Sequence, residues 1–243
     1  DTVFAQNLTG TKPLNMPLEL IEKIINQSAQ FFPKTKLGYA FTEPLVYPYL
    51  VESLEMADKR GLFTSITTNA LTLPQKAEQL SNSGLNEIYL SLDGPQDIHN
   101  EIRGNPKSFQ KAVEGIEKLM EQAKRPTISI FCVITEWNIG HLTEFLSFFK
   151  GYPIKEIGFM HTNYTPESIA DMHNKVHGAL YPATFSNTGE IDLEAMDLDL
   201  LWKEMQQILG EEYPFKVSFS PHLESRQSLE VFYHHPEIKL GKR

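Results

Sequence analysis

Leu18, Ile21, Ile24 and Ile25 recur at three- and four-residue intervals, the spacing of one helix face, and predict a helix over Leu18–Phe31. A strand-like apolar run over 37–41 follows and is halted by Glu43-Pro44. The same alternation then repeats. Helices are predicted over 49–59, 73–81, 108–122 and 139–149. Strands are predicted over 62–68, closed by Asn69, over 87–92, ending at Asp93-Gly94, and over 127–135 and 154–161. Beyond 161 the rhythm breaks, and the His-containing stretch 162–192 is expected to be an insertion or lid. A helix over 193–209 and a strand over 215–219 supply the last βα elements, within 193–224. Residues 225–243 show no clear periodicity and read as a tail. No internal repeat or low-complexity tract interrupts this order.

Strands alternating with helices of about ten residues mean βαβ units and a parallel sheet. The strand faces choose between a doubly wound sheet and a barrel, because successive side chains point to opposite sides. Ile88, Leu90 and Leu92 share one face, while Tyr89, Ser91 and Asp93 share the other. Ile128, Ile130, Cys132 and Ile134 alternate with Thr127, Ser129, Phe131, Val133 and Thr135. Ser65, Thr67 and Asn69 also share a face. Central strands of a doubly wound sheet are covered on both sides and apolar on both. One partly polar face per strand instead predicts an α/β fold with a partial parallel (β/α) barrel of about six to seven strands. Its core is expected over 18–161, with helices outside and a lined cavity inside.

Composition narrows the function classes. A net charge of -9 and a pI near 5.4 argue against a protein that binds nucleic acid by neutralising phosphates. No apolar run of about 18 residues would span a membrane. The N-terminus lacks a basic segment followed by an apolar one, so it does not read as an intact signal peptide. It also begins without Met, as a trimmed or partial piece of a longer chain would. The one cysteine, Cys132, excludes an intrachain disulfide framework and a cysteine-bound metal cluster within these residues. Two Asn-x-Thr sequons, at Asn7 and Asn163, are read as chance matches, and a cytoplasmic location is expected.

In a parallel barrel the active site forms at the C-terminal ends of the strands. The residues there are 42–44, 68–69, 91–94, Thr135, 161–163 and 220–222. They make a polar small-molecule site in which Glu43 and Asp93 could act as acid and base, with no evident nucleophile. Cys132 lies on the aliphatic face and reads as core. His173 and His177 have the i, i+4 spacing of a zinc pair but no third ligand, so they read as a solvated helix. No lysine falls at a strand end facing the cavity, which counts against a Schiff-base lyase.

The segment 91–109, SLDGPQDIHNEIRGNPKSF, is similar to the Ser-Leu-Asp-Gly … His-Asp-x-x-Arg-Gly … Ser-Phe signature of radical S-adenosylmethionine (radical SAM) enzymes. It resembles in particular the branch with a C-terminal cysteine-rich (SPASM-like) domain. YAFTEPLVYPYL at 39–50 resembles that family's Gly-Gly-Glu-Pro-Leu strand end, and TTNA at 67–70 its Thr-Asn-Gly strand end. VITEWNIGHL at 133–142 resembles the fifth strand and the following turn. The four segments occur in family order at successive strand ends.

The resemblance implies SAM and a [4Fe–4S] cluster as cofactors. It places Thr42 and Glu43 beside the methionine ammonium, and Asn69 at the neighbouring strand end. Ser91 and Asp93 fall near the ribose and methionine, Arg103 at the methionine carboxylate, and Val133, Thr135, Met160 and His161 around the adenine. It implies hydrogen abstraction from an unidentified substrate, with a peptide or protein among the candidates, and a reductant such as ferredoxin or flavodoxin.

The departures are equally specific. Residues 1–17, a remnant of the cluster-loop region, hold none of the family's Cys-x3-Cys-x2-Cys ligands. Phe41-Thr42 replaces Gly-Gly, Ala70 replaces Gly, and Asn100 replaces Asp. The tail stops about where related enzymes begin their C-terminal cysteine segment. Both cluster-binding ends are expected to lie outside these residues, and the chain as it stands is expected to be inactive. The alternative is a cluster-free barrel serving as a binding or scaffold domain.

Overall fold

The structure is a computed structural model that describes residues 15–40, 42–163, 165–183, 192–235 and 238. The expected cluster-loop remnant therefore falls outside the described residues except for its last three positions, and so does most of the end of the tail. Helix α1 (Leu18–Phe31) leads to β1 (Lys36–Tyr39), a 3-10 turn (Pro44–Val46) and α2 (Leu50–Lys59). Strand β2 (Phe63–Thr68), α3 (Leu73–Asn82) and β3 (Glu87–Ser91) follow. Two helices, α4 (Gln96–Ile102) and α5 (Ser108–Met120), precede β4 (Thr127–Ile134). Next come α6 (Leu142–Phe148), β5 (Ile154–His161), α7 (Glu167–His177), α8 (Leu198–Gly210), β6 (Lys216–Ser220) and α9 (Arg226–His234).

The six strands form one sheet in the order β1-β2-β3-β4-β5-β6, parallel throughout. Sequential parallel neighbours joined by helical crossovers give the expected partial (β/α) barrel. Among the described residues β1 and β6 do not pair, so the sheet is open. One face carries the core. Ile66, Ile88, Leu90, Ile130, Ile134, Ile157 and Phe159 are buried against Leu73, Leu80, Ile116, Leu119, Phe145 and Leu146 of the surrounding helices.

The opposite face follows from the register. Tyr89, Ser129, Glu156 and Lys216 form one row, and Ser91, Phe131, Gly158 and Ser218 the row above it. Val133, Met160 and Ser220 form the row above that. A register shift makes Lys155 an extra residue of β5, and its Nζ reaches Glu87 Oε1 at 2.8 Å.

Several segments differ from expectation. Helix α4 lies within the stretch read only as a motif. Helix α7 occupies part of the expected insertion, of which 184–191 lie outside the described residues. The expected tail begins with α9, whose start is fixed by a capping box between Ser225 and Ser228. At nine residues its apolar stripe is too short for periodicity to show, and Leu229 and Tyr233 are its buried anchors. The helix expected over 139–149 starts later, because Gly140 has a left-handed backbone (φ 89°).

The start of α6 is held from another helix. Glu204 of α8 is buried, and its two oxygens accept from the Gly140 amide at 2.8 Å and the Thr143 amide at 3.0 Å. An ionised carboxylate at a helix N-terminus is a strong acceptor. Glu204→Ala is expected to cost about 2–3 kcal/mol, read as a lower urea midpoint at an unchanged slope.

Candidate functional site at the strand ends

At the β1 end, Glu43 is fixed by three donors. Leu45 N–H and Thr68 Oγ1 donate to its Oε1 at 3.0 and 2.6 Å, and Asn69 N–H donates to Oε2 at 2.8 Å. It thus clamps the ends of β1 and β2 together. A carboxylate has about four acceptor positions, so one remains for a cation. Asn69, expected at the cofactor, uses its Oδ1 to accept from Leu71 N–H at 3.0 Å and so closes the local turn.

Thr42 and Ala70 both adopt left-handed backbone, with φ of 50° and 61°. These are two positions where the family motif carries glycine. The glycine conformation is retained although the glycines are not. A left-handed β-branched residue is strained by roughly 1–2 kcal/mol, partly offset because glycine is freer when unfolded. Thr42 is exposed, so Thr42→Gly is expected to stabilise the protein by about 0.5–1 kcal/mol in denaturant titration.

The β3 end carries an interlocked cluster. Asp93 is 3 % exposed. Arg103 Nε donates to its Oδ2 at 2.6 Å, and its backbone N–H donates to His99 Nδ1 at 3.0 Å. With Nδ1 accepting, the neutral ring of buried His99 donates from Nε2 to Ser108 Oγ at 2.9 Å. Burial alone would raise the Asp93 carboxyl; the Arg103 guanidinium beside it outweighs burial and holds the carboxyl below its usual range. Asp93 therefore orients Arg103, whose terminal amino groups have no partner among the described residues. Ser91, two residues earlier, carries a hydroxyl on the inner face with no partner among the described residues. The signature His-x3-Arg thus joins a positioning histidine to the arginine that faces outward.

At the β4 end sits a residue that the sequence motifs did not single out. Asn138 is fully buried. Its Oδ1 accepts from Thr135 N–H at 2.9 Å, and its Nδ2 donates to Val133 O at 2.6 Å and Asp93 O at 2.8 Å. This amide ties the β3 end to the β4 end. Thr135 Oγ1 is buried with no partner among the described residues. Such a hydroxyl costs free energy unless something binds it.

Val133 and Met160 share the inner wall as expected, but His161 does not. It pairs in register with Ile134 and belongs to the outer face. Its Nδ1 lies 2.9 Å from the Tyr233 hydroxyl, and its ring packs on Phe219 and Phe232. Alternation along β5 decides this, since Met160 and His161 cannot face the same side. Burial pushes the His161 pKa down to about 4. Unfolding would restore a value near 6.5, so its stabilising contribution is complete above pH 6.5 and lost as pH falls toward 4. The loss is roughly 3 kcal/mol. Stability measured from pH 7 to 4 should show this decline, and His161→Leu should flatten it.

The described side chains fit SAM but not an iron–sulfur cluster. The exposed Thr42, the outward guanidinium and the half-buried Ser91 hydroxyl offer polar partners suited to an amino acid and a nucleoside. A cluster needs several thiolates. The chain has one cysteine, Cys132, which is buried on the outer face with its thiol pushed up by burial. His173, on α7, uses Nε2 on Tyr181 O at 2.7 Å. No group of metal-binding side chains occurs among the described residues. No helix among them is long and apolar enough to cross a membrane.

Fold and site together define a partial (β/α)-barrel protein with a polar site at the strand C-termini. The model of the Radical SAM superfamily matches residues 5–149, and the chain belongs to that superfamily. Molybdenum cofactor biosynthesis protein 1 of Bos taurus is 33 % identical over 149 residues, covering 58 % of this chain and 23 % of that protein. GTP 3′,8-cyclase of Listeria welshimeri is 33 % identical over 102 residues, covering 42 % and 30 %. The chain thus spans about a quarter of the length of these curated relatives. Streptococcus suis SuiB superposes with a TM-score of 0.59 at 17 % identity, over 93 % of this chain and 48 % of that one. The structure of native anSMEcpe with bound AdoMet superposes at 0.58 and 18 % identity, over 88 % and 57 %. These two likenesses concern the fold.

Proposed function

We propose that this chain is the SAM-binding core of a radical SAM enzyme. The observation that carries the proposal is the Asp93–Arg103 pair beside Ser91 and the orphaned Thr135 hydroxyl, on adjacent strand ends. Arg103 would hold the methionine carboxylate through its free terminal nitrogens, a charge-assisted fork. The remaining acceptor position of Glu43 and the backbone at Thr42 would meet the ammonium. Ser91 would face the ribose, and Val133, Thr135 and Met160 the adenine. SAM supplies a 5′-deoxyadenosyl group for hydrogen abstraction, chemistry that belongs to the cofactor. No residue of this chain is assigned to an electron-transfer step, because Cys132 cannot ligate a cluster. By itself the chain should be inactive. The proposal extends to a cytoplasmic enzyme served by a ferredoxin- or flavodoxin-type reductant.

The test is the complete gene product, purified anaerobically, reconstituted with iron and sulfide, reduced with dithionite and given SAM. Formation of 5′-deoxyadenosine, followed by mass spectrometry, is the expected result. A product that binds no iron and forms no 5′-deoxyadenosine would leave a cluster-free barrel acting as a binding domain.

A further inference from the structure

Three rows of the inner wall differ in charge. In the two upper rows, Ser91–Phe131–Gly158–Ser218 and Val133–Met160–Ser220, no side chain is charged. Beneath them every charge is matched. Lys155 pairs with Glu87 at 2.8 Å, and Lys216 pairs with Glu156 at 2.9 Å. Ser218 also donates to Glu156 at 2.7 Å, and Tyr89, whose phenol is pushed up to about 12 by burial and by Glu87, stays protonated.

An aromatic ridge rises from the charged row, at Tyr89, to the row above it, at Phe131. The Tyr89 and Phe131 rings stack with centroids 4.6 Å apart and planes 2° from parallel. Phe131 is wedged on its other side by Gly158, where an added Cβ would lie 3.1 Å from Phe131 Cδ1. Both rings are half-buried, so part of each remains accessible. Aromatic rings of this kind favour edge-to-face contact with another ring. The upper ring, Phe131, is one pleat repeat below the Val133–Met160 row, about 7 Å.

We propose that this ridge is the substrate subsite and that it takes an uncharged aromatic group, not a nucleoside triphosphate. A triphosphate would need unpaired cations. The wall's described lysines 155 and 216 are already neutralised, and Lys36 sits over the Phe63 ring at 4.6 Å, at the opposite end of the strands from the site. The inference rests on the SAM reading for what the substrate would react with, although the subsite itself is defined by the wall.

The test is NMR of the chain labelled with 13C at methionine methyls, with Met160 assigned through Met160→Leu. Three probes are titrated: N-acetyl-L-phenylalaninamide, N-acetyl-L-alaninamide and GTP with Mg2+. The expected result is a saturable ring-current shift of Met160 with the phenylalanine probe only. In Phe131→Ala, and in Tyr89→Leu, that response should weaken at least tenfold while the buried Met205 signal keeps its position. A saturable response to GTP, or a phenylalanine response equal in both variants, would overturn the proposal. SAM is titrated separately. A SAM response weakened about tenfold in Arg103→Lys, with the phenylalanine response kept, separates the two sites, so failure of either reading is visible by itself.

Discussion

Asn138→Ala is expected to destabilise the protein by about 3–5 kcal/mol, the largest loss for a single polar truncation in this chain. The side chain is fully buried and satisfies one N–H and two carbonyls. Removing it leaves all three unpaired, and each buried orphan costs roughly 1–3 kcal/mol. Its loss also unties the β3 end from the β4 end, so Ser91 and Asp93 would drift relative to Thr135. Urea unfolding followed by circular dichroism reads the change. Asn105→Ala serves as the contrast. Asn105 caps a turn at the surface through Lys107 N–H at 3.0 Å, so its loss should stay below about 1 kcal/mol. Equal losses for the two variants would mean that Asn138 does not bridge the strands.

Arg103→Lys is expected to weaken SAM binding about tenfold while leaving the fold in place. Lysine keeps a positive charge beside the buried Asp93, so the carboxylate is not left alone. It loses the fork that would meet a second carboxylate. Arg103→Ala goes further, because it abandons Asp93 in a nearly sealed site, and that variant mixes lost binding with lost stability. The two effects separate through ligand-induced stabilisation. SAM at a hundred times its Kd should stabilise the wild type by about 2.7 kcal/mol, and a tenfold weaker variant by about 1.4 kcal/mol at the same concentration. An unchanged increment in Arg103→Lys would assign the carboxylate to another residue. The increment should persist through the ordinary aspartate range and fall only at more acid pH, because Arg103 holds the Asp93 carboxyl below that range and protonating it releases Arg103 from its orienting partner.

Much of the fold was legible because most elements are long enough for periodicity to show. Helix α1 and strand β5 occur with the bounds that the pattern predicts. The partly polar strand faces announced an inner wall, and the register confirms it in rows. Short helices escaped. Helix α4, with seven residues, is stabilised by the motif cluster around His99 more than by an apolar stripe. The site was legible as a set of strand ends, but not side by side. Met160 and His161 are neighbours in sequence and were nominated together. Only the register of β5 against β4 shows that His161 turns away, toward Tyr233.

Asn138 left a weaker signal, an asparagine three residues after the threonine that closes β4. Nothing in periodicity marks an amide that bridges two strands. The glycine departures show the reverse case. Thr42 and Ala70 look like broken motif positions in the sequence, yet the backbone there keeps the left-handed form the motif requires. Local geometry has outlasted the residues that usually encode it.

The measurement that bears most directly on the SAM-binding site is equilibrium dialysis of labelled SAM against the purified chain, beside Arg103→Lys and His161→Leu. Saturable one-to-one binding, weakened about tenfold in Arg103→Lys and unchanged in His161→Leu, is the expected result. No saturable binding by the wild type, or binding lost only in His161→Leu, would contradict a SAM site built on the Asp93–Arg103 pair.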